Sequence, residues 1–402
     1  MKGLKPPPLE EFIGIGCYKT KTMGIAGRLK QQPEDFIVEE VSPDGFLEFG
    51  KDSLSSLNQS PLDFVHCTLE KKNWDTMRAV KEIARRLCVS QKRVGYAGTK
   101  DKRAFTAQRI SIQGVSIEDV QKISIKDIVL RDFSYENDSI GLGSLDGNRF
   151  SITIRNCEKG ADELKTSVDS ISESLKSGFP NFFGVQRFGT TRPITHLVGR
   201  LIVKGDFEGA VMAYLAKVFE GEGEGAVEAR EFLEKTRDFK EALKVYPKNL
   251  GYEISLLNHL AQDGSDFRGA LRVLPDGLKK MFVHAYQSYI FNRSLSMHIE
   301  NELVVERLPL IGFESTPDEF TEKILEEESL KPGDFRISGL SELSSRGEIR
   351  DCFVPFEDFS VLDAGVDELN EGRNKITLRF RLNPGVYATT LLREFMKNEY
   401  WL

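Results

Sequence analysis

The stretch KITLRFRLNPGVYATTLLREFMK, residues 375–397, reads as a strand, a turn and a helix. Ile376, Leu378, Phe380 and Leu382 alternate with Thr377, Arg379 and Arg381, the period of a strand that buries one face. Pro384-Gly385 supplies the turn, and a C-terminal helix follows. A lone strand cannot cover its own apolar row, so this one needs a sheet elsewhere in the chain. Matching strands lie far upstream. GNRFSITIRN places Phe150, Ile152 and Ile154 at alternate positions, entered through Gly147-Asn148. PEDFIVEE follows a turn at Gln32-Pro33, with Phe36 and Val38 on one face and Ile37 on the other. DFVHCTLEKKNWDT gives a further strand, and another starts at Phe105. A last strand that completes an N-terminal sheet makes the first domain discontinuous.

Between these strands the pattern turns helical. Met77, Val80, Ile83, Ala84 and Leu87 share a helical stripe behind an N-cap at Asp75 or Thr76, and residues 161–175 are amphipathic. Residues 51–61 are Ser-rich and read as a loop. From 195 to 350 helices, acidic loops and Pro-bearing breaks dominate, which reads as an inserted domain. Its clearest helix carries Phe282, Ala285, Tyr286, Tyr289, Ile290, Arg293 and Met297 on one stripe, and the two tyrosines read as core. The boundaries expected are therefore 1–194 with 351–402 for the discontinuous domain, and 195–350 for the insertion. A chain of 402 residues fits two domains.

Composition narrows the function classes. The chain is 40% hydrophobic and 29% charged, ordinary for a folded soluble protein. The opening MKGLKPPPLEEF has no apolar signal core, and no apolar run reaches membrane-spanning length, so a cytoplasmic location is expected. Five cysteines (Cys17, Cys67, Cys88, Cys157, Cys352) and five histidines (His66, His196, His259, His284, His298) are scattered, which argues against disulfides and against a metal centre. Neither P-loop, GxGxxG, HExxH nor a Ser/His/Asp arrangement is present. The net charge of −7 does not exclude a nucleic-acid partner, because the acids concentrate after residue 215 and the basic clusters precede residue 200.

The densest basic cluster is GYAGTKDKRAFTAQR, residues 95–109. Lys92, Arg93, Lys100, Lys102, Arg103 and Arg109 surround one acid, Asp101. Two readings stay open on these residues alone. Asp101 is a charge balancer in a solvated turn, or a carboxylate held ionised by nearby cations and ready to act as nucleophile or base. NFFGVQRFG sets Asn181, Phe182, Phe183, Gln186, Arg187 and Phe188 in one short turn, a composition that suits either a base pocket or a hydrophobic plug. Phe36 and Tyr387 have equally simple readings as core residues at strand and turn ends.

Seven blocks in order, KQQPEDFIVEE, TLEKKNWDT, YAGTKDKRAFTAQ, GNRFSITIRN, PNFFGVQRFG, AYQSYIFNRSL and PGVYATTLLRE, resemble the TruD family of tRNA pseudouridine synthases. The resemblance implies an α+β fold: a pseudouridine synthase core with a mixed, largely antiparallel sheet flanked by helices, plus an inserted α/β TruD-specific domain. It implies isomerisation of uridine to pseudouridine in tRNA, expected at position 13, with no cofactor and no metal. By the same resemblance Asp101 is the nucleophile and Lys30 its basic partner, with Arg28 close by. Phe36, Asn181, Phe183 and Tyr387 contact the target nucleotide, Phe183 by stacking. Lys100, Lys102, Arg103 and Arg109 are expected on the RNA backbone. Nothing requires more than a monomer or a membrane partner. The alternatives are a synthase acting on other cellular RNAs, a catalytically silent RNA-binding module, and a hydrolase using the same carboxylate.

Overall fold

The structure, a computed structural model, describes residues 4–43, 45–51 and 58–398. Most of the Ser-rich stretch expected as a loop, residues 52–57, lies outside them. The chain forms two compact units, Thr22–Phe179 with Val354–Leu402 and Met1–Lys21 with Pro180–Phe353. The boundaries expected from the sequence put residues 4–21, 180–194 and 351–353 with the sheet; their contacts put them with the helices. The reason lies in one helix. Asn292 donates its amide to the carbonyls of Ile13 and Phe183 and accepts from the Phe183 N–H, while Ser296 accepts from the Gly16 N–H.

The first unit is built on a mixed sheet of β1 (Phe36–Ser42), β2 (Gly45–Phe46), β3 (Phe64–Lys72), β4 (Val94–Tyr96), β5 (Phe105–Gln113), β6 (Ile128–Glu136), β7 (Gly147–Cys157), β8 (Glu357–Val366) and β9 (Asn374–Leu382). The strand order is β8-β9-β7-β1-β5-β3-β6, with β2 beside β1 and β4 beside β5. The C-terminal strand β9 does enter this sheet, pairing Leu378 with Ile152 and Phe380 with Phe150 of β7. Its Ile376, Leu378, Phe380 and Leu382 row is buried, as alternation requires. Each such side chain contributes about 1.5–3 kcal/mol when buried. Leu164, Val168 and Ile171 of helix Ala161–Ser174, with Leu391, Leu392 and Phe395 of helix Ala388–Met396, complete that core cluster. A second cluster joins Val65, Cys67 and Leu69 of β3 and Ile110 and Ile112 of β5 to Val80, Ile83 and Ala84 of helix Thr76–Arg86. Met77, expected on the same stripe, is exposed.

Among the described residues one pairing in this sheet is parallel: β1 with β5, Ile37 opposite Phe105. Every other described pairing in it is antiparallel. Parallel neighbours begin at the same end of a sheet. The loops that lead into β1 and β5 therefore emerge side by side, and these loops carry Lys30 and Asp101.

The second unit is mainly helical. Its spine is the 25-residue helix Asp276–Glu300, where Phe282, Ala285, Tyr286 and Ile290 are buried and Tyr289 packs against the same core. Helix Thr195–Val203 lies against it so closely that a Cβ on Gly199 would meet the Phe282 carbonyl oxygen at 1.9 Å. An antiparallel ribbon of Arg307–Leu310 and Glu348–Asp351 completes the unit. Among the described residues no helix is long and apolar enough to cross a membrane.

Candidate active site

Asp101 lies in the loop before β5, with its side chain 43% exposed. Lys30, in the loop before β1, brings its ammonium to 3.3 Å from the Asp101 carboxylate. It reaches there from a left-handed backbone position, φ +54°, unusual for a residue with a Cβ. The same ammonium sits 4.1 Å from the centre of the Phe36 ring. One cation thus touches a carboxylate and an aromatic face together. Arg28 pairs through its backbone with Arg155, and its side chain is exposed.

Phe36 opens β1, buried at the edge of Phe150, whose ring stacks on Phe380. The segment between Lys30 and Phe36 is tied down by Arg155 of β7. Its guanidinium donates to Asp35 at 2.6 Å, to Asp367 at 2.8 Å and to Glu368 at 3.0 Å. Asp35 in turn accepts from the Gln32 N–H.

The Asp101 loop is fixed from inside the fold. Thr76, the first residue of its helix, accepts from the Lys100 N–H at 3.0 Å. Gln108 donates to the Gly98 carbonyl. The Lys100 ammonium turns inward to Glu40, 2.7 Å away, with the two side chains 5% and 0% exposed. Glu40 also accepts from the Arg109 N–H, and the Arg109 side chain is buried against Ser134 and the Asp132 carbonyl. Lys100 and Arg109 are therefore interior residues, which corrects the expectation that they hold the RNA backbone. Glu40 of β1 neutralises the Lys100 ammonium, and the Arg109 guanidinium donates into the interior. Lys102 and Arg103 do face solvent, and Arg103 donates to the Gln31 carbonyl of the neighbouring loop.

Tyr387 is the residue preceding helix Ala388–Met396, where its carbonyl accepts from the Thr390 N–H and hydroxyl. Within the helical unit Asn181 and Phe183 come together around Arg350. The Arg350 guanidinium lies 4.1 Å from the centre of the Phe183 ring and donates to the Asn181 side chain at 2.5 Å and to its carbonyl at 3.2 Å. Phe183 also meets the edge of Phe291, and Arg187 lies 5.6 Å from its centre. Both Asn181 and Phe183 are largely buried.

Sequence reasoning missed Arg350, Arg155, Glu40 and Thr76. Each acts through a partner distant in the chain, so no local pattern marks it. Among the described residues no group of three or more His, Cys, Asp or Glu is placed to hold a metal ion.

Comparison with known proteins bears on this geometry. A sequence profile of tRNA pseudouridine synthase D (TruD) matches residues 12–309 and 305–395. A probable tRNA pseudouridine synthase D of Methanosarcina acetivorans is 39% identical, over 99% of this chain and 98% of its own length. The corresponding protein of Archaeoglobus fulgidus is 38% identical, over 97% of this chain and its own full length, 100%. The crystal structure of TruD from Methanosarcina mazei superposes with a TM-score of 0.82 at 37% identity, covering 99% of each chain. With profile, relatives and fold in agreement from end to end, the chain belongs to the tRNA pseudouridine synthase D (TruD) family.

Proposed function

We propose that this tRNA pseudouridine synthase uses Asp101 as a nucleophile to isomerise a uridine, expected at position 13 of tRNA, without a cofactor. The observation that carries the reading is the pairing of an accessible carboxylate with one ammonium, Asp101 with Lys30, at the start of two parallel strands. An ionised carboxylate can attack C1′ of the target nucleotide and displace uracil through N1, giving a glycosyl ester. Attack at C6 is the variant route. The uracil then turns, C5 attacks C1′, the ester carboxylate leaves, and the C5 proton is lost to solvent while N1 takes one up. One C–N bond is exchanged for one C–C bond, so no outside energy or redox partner is needed.

Lys30 keeps the charge on Asp101 balanced while the ester forms and breaks. The target base has to leave its stack, which costs a few kcal/mol, and phosphate contacts from Lys102 and Arg103 offset that cost. Phe183 supplies a ring face for the base, with Asn181, Phe36 and Tyr387 as further contacts to the nucleotide. The test is release of tritium from C5-labelled uridine in tRNA. Wild type releases tritium and Asp101→Asn does not, while the mutant still binds tRNA. Undiminished release by the mutant would remove Asp101 from the mechanism.

A further inference from the structure

Lys71 takes no part in the chemistry just described, yet it lies directly beneath the nucleophile loop. It is the penultimate residue of β3 and is fully buried, 0% exposed. Its ammonium donates to three carbonyl oxygens: Trp74 at 2.7 Å, Asp101 at 2.9 Å and Lys100 at 3.4 Å. Three N–H donors meet three acceptors, the full complement of a protonated lysine. Two of the acceptors are the peptide carbonyls on either side of the Asp101 Cα. Nothing else about a buried, unpaired lysine favours keeping it, because taking an ammonium out of water costs several kcal/mol without a carboxylate in contact.

We propose that Lys71 is a positioning residue for catalysis: its ammonium clamps the Lys100 and Asp101 carbonyls and so sets where the Asp101 carboxylate points. The proposal rests on Asp101 being the nucleophile. The clamp depends on the proton. A neutral amine has two N–H groups and a lone pair, and that lone pair would face a carbonyl oxygen. Burial pulls the Lys71 pKa down to about 8, opposed by the negative charges of Asp101 and Asp75 and reinforced by Lys100. The neighbouring strands place Thr106 and Ile128 beside it, neither of which ionises.

The experiment compares wild type, Lys71→Met and Lys71→Gln by tritium release across pH 6.5–9.5. Misplacing a reacting group by about 1 Å can cost about 100-fold. Lys71→Met is expected to lower kcat about 10–100-fold with the KM for tRNA within about threefold, the signature of lost alignment rather than lost binding. Wild-type kcat should fall above pH of about 8, and Lys71→Gln, whose amide has no proton to lose there, should not show that fall. Ionisation of the tRNA itself is common to all three proteins and cancels in the comparison. A merely structural lysine would lower thermal stability and leave kcat and its pH profile unchanged at temperatures where the variants are folded. That result overturns the proposal, as does an alkaline fall that survives in Lys71→Gln. If Lys71→Met does not fold, the wild type and Lys71→Gln profiles decide alone. Absence of tritium release by wild type would instead overturn the reading of Asp101.

Discussion

Replacing Lys100 by Met separates an interior role from an RNA-binding one. The Lys100 ammonium and the Glu40 carboxylate are 2.7 Å apart, with side chains 5% and 0% exposed. At that separation the gross attraction is about 6 kcal/mol for an effective dielectric of 20. Most of it repays desolvation of the two ions. Removing one partner strands the other, which costs about 3–5 kcal/mol. Glu40 keeps one hydrogen bond, from the Arg109 N–H, so the lower end applies. For a domain of this size about 3 kcal/mol lowers Tm by roughly 6–12 °C. Glu40→Leu should lose a similar amount. The double variant Lys100→Met with Glu40→Leu leaves only the Arg109 N–H without its acceptor, a loss of about 1–3 kcal/mol. It should therefore be at least as stable as either single variant. Urea unfolding of the four proteins gives the cycle. Binding to tRNA from 50 to 200 mM salt gives the second readout: the log–log slope is unchanged in Lys100→Met and shallower by about 0.7–0.9 in Lys102→Met. Additive stability losses, or a wild-type Tm with a shallower slope in Lys100→Met, would refute the interior assignment.

Two other outcomes follow from the geometry. Phe183→Ala should cut turnover about 10–100-fold while tRNA affinity changes less than about threefold, because a stacking face is worth about 1–3 kcal/mol and phosphate contacts dominate binding; equal losses in both, measured by tritium release and equilibrium binding, would contradict the stacking role. His196 is buried among Phe12, Phe188 and Tyr289, and burial lowers its pKa from 6.5 to about 4. The unfolded chain then takes up the proton first as pH falls, so this contribution is complete above pH 6.5 and is lost by pH of about 4, roughly 3 kcal/mol in all. Urea midpoints at pH 7 and pH 4.5 should differ less for His196→Phe than for wild type; an identical difference would show that His196 does not carry the acid sensitivity.

Strands and helices with a clear period could be read from the chain. The β9 row and the helix Asp276–Glu300 announce themselves through spacing, because each buries one face against a large partner. Charges in the interior could not be read. Glu39 and Glu40 look like the solvated start of a strand, yet both are buried, Glu39 against Arg149 and Glu40 against Lys100. Lys100 and Lys102 differ by two positions and have opposite fates, and only the packing of Glu40 beneath the loop separates them. The pairing of Lys30 with Asp101 came from family resemblance, since alternation says nothing about which strands run parallel. Local pattern likewise gave no sign that the NFFG segment is held by Asn292 rather than by the sheet.

Buried ions are a poor means of stabilising a fold, since well-packed apolar pairs of similar volume often do as well or better. The sheet unit nevertheless keeps them where its two loops meet: Lys100 with Glu40 behind Asp101, and Arg155 with Asp35 and Asp367 behind the Lys30–Phe36 segment. Ion pairs differ from apolar contacts in being directional, with bond angles and lengths that admit little slip. Parallel pairing of β1 and β5 brings the loops side by side, but strand pairing alone leaves each loop several ways to lie. In the proposed mechanism the Asp101 carboxylate has to meet one carbon atom, and such a reaction does not tolerate that latitude. On this view the double variant Lys100→Met with Glu40→Leu should be folded and yet slow, with kcat reduced and tRNA affinity retained. A double variant that regained both stability and full turnover would show that packing by itself fixes the loop, and that the buried charges have no share in aligning Asp101.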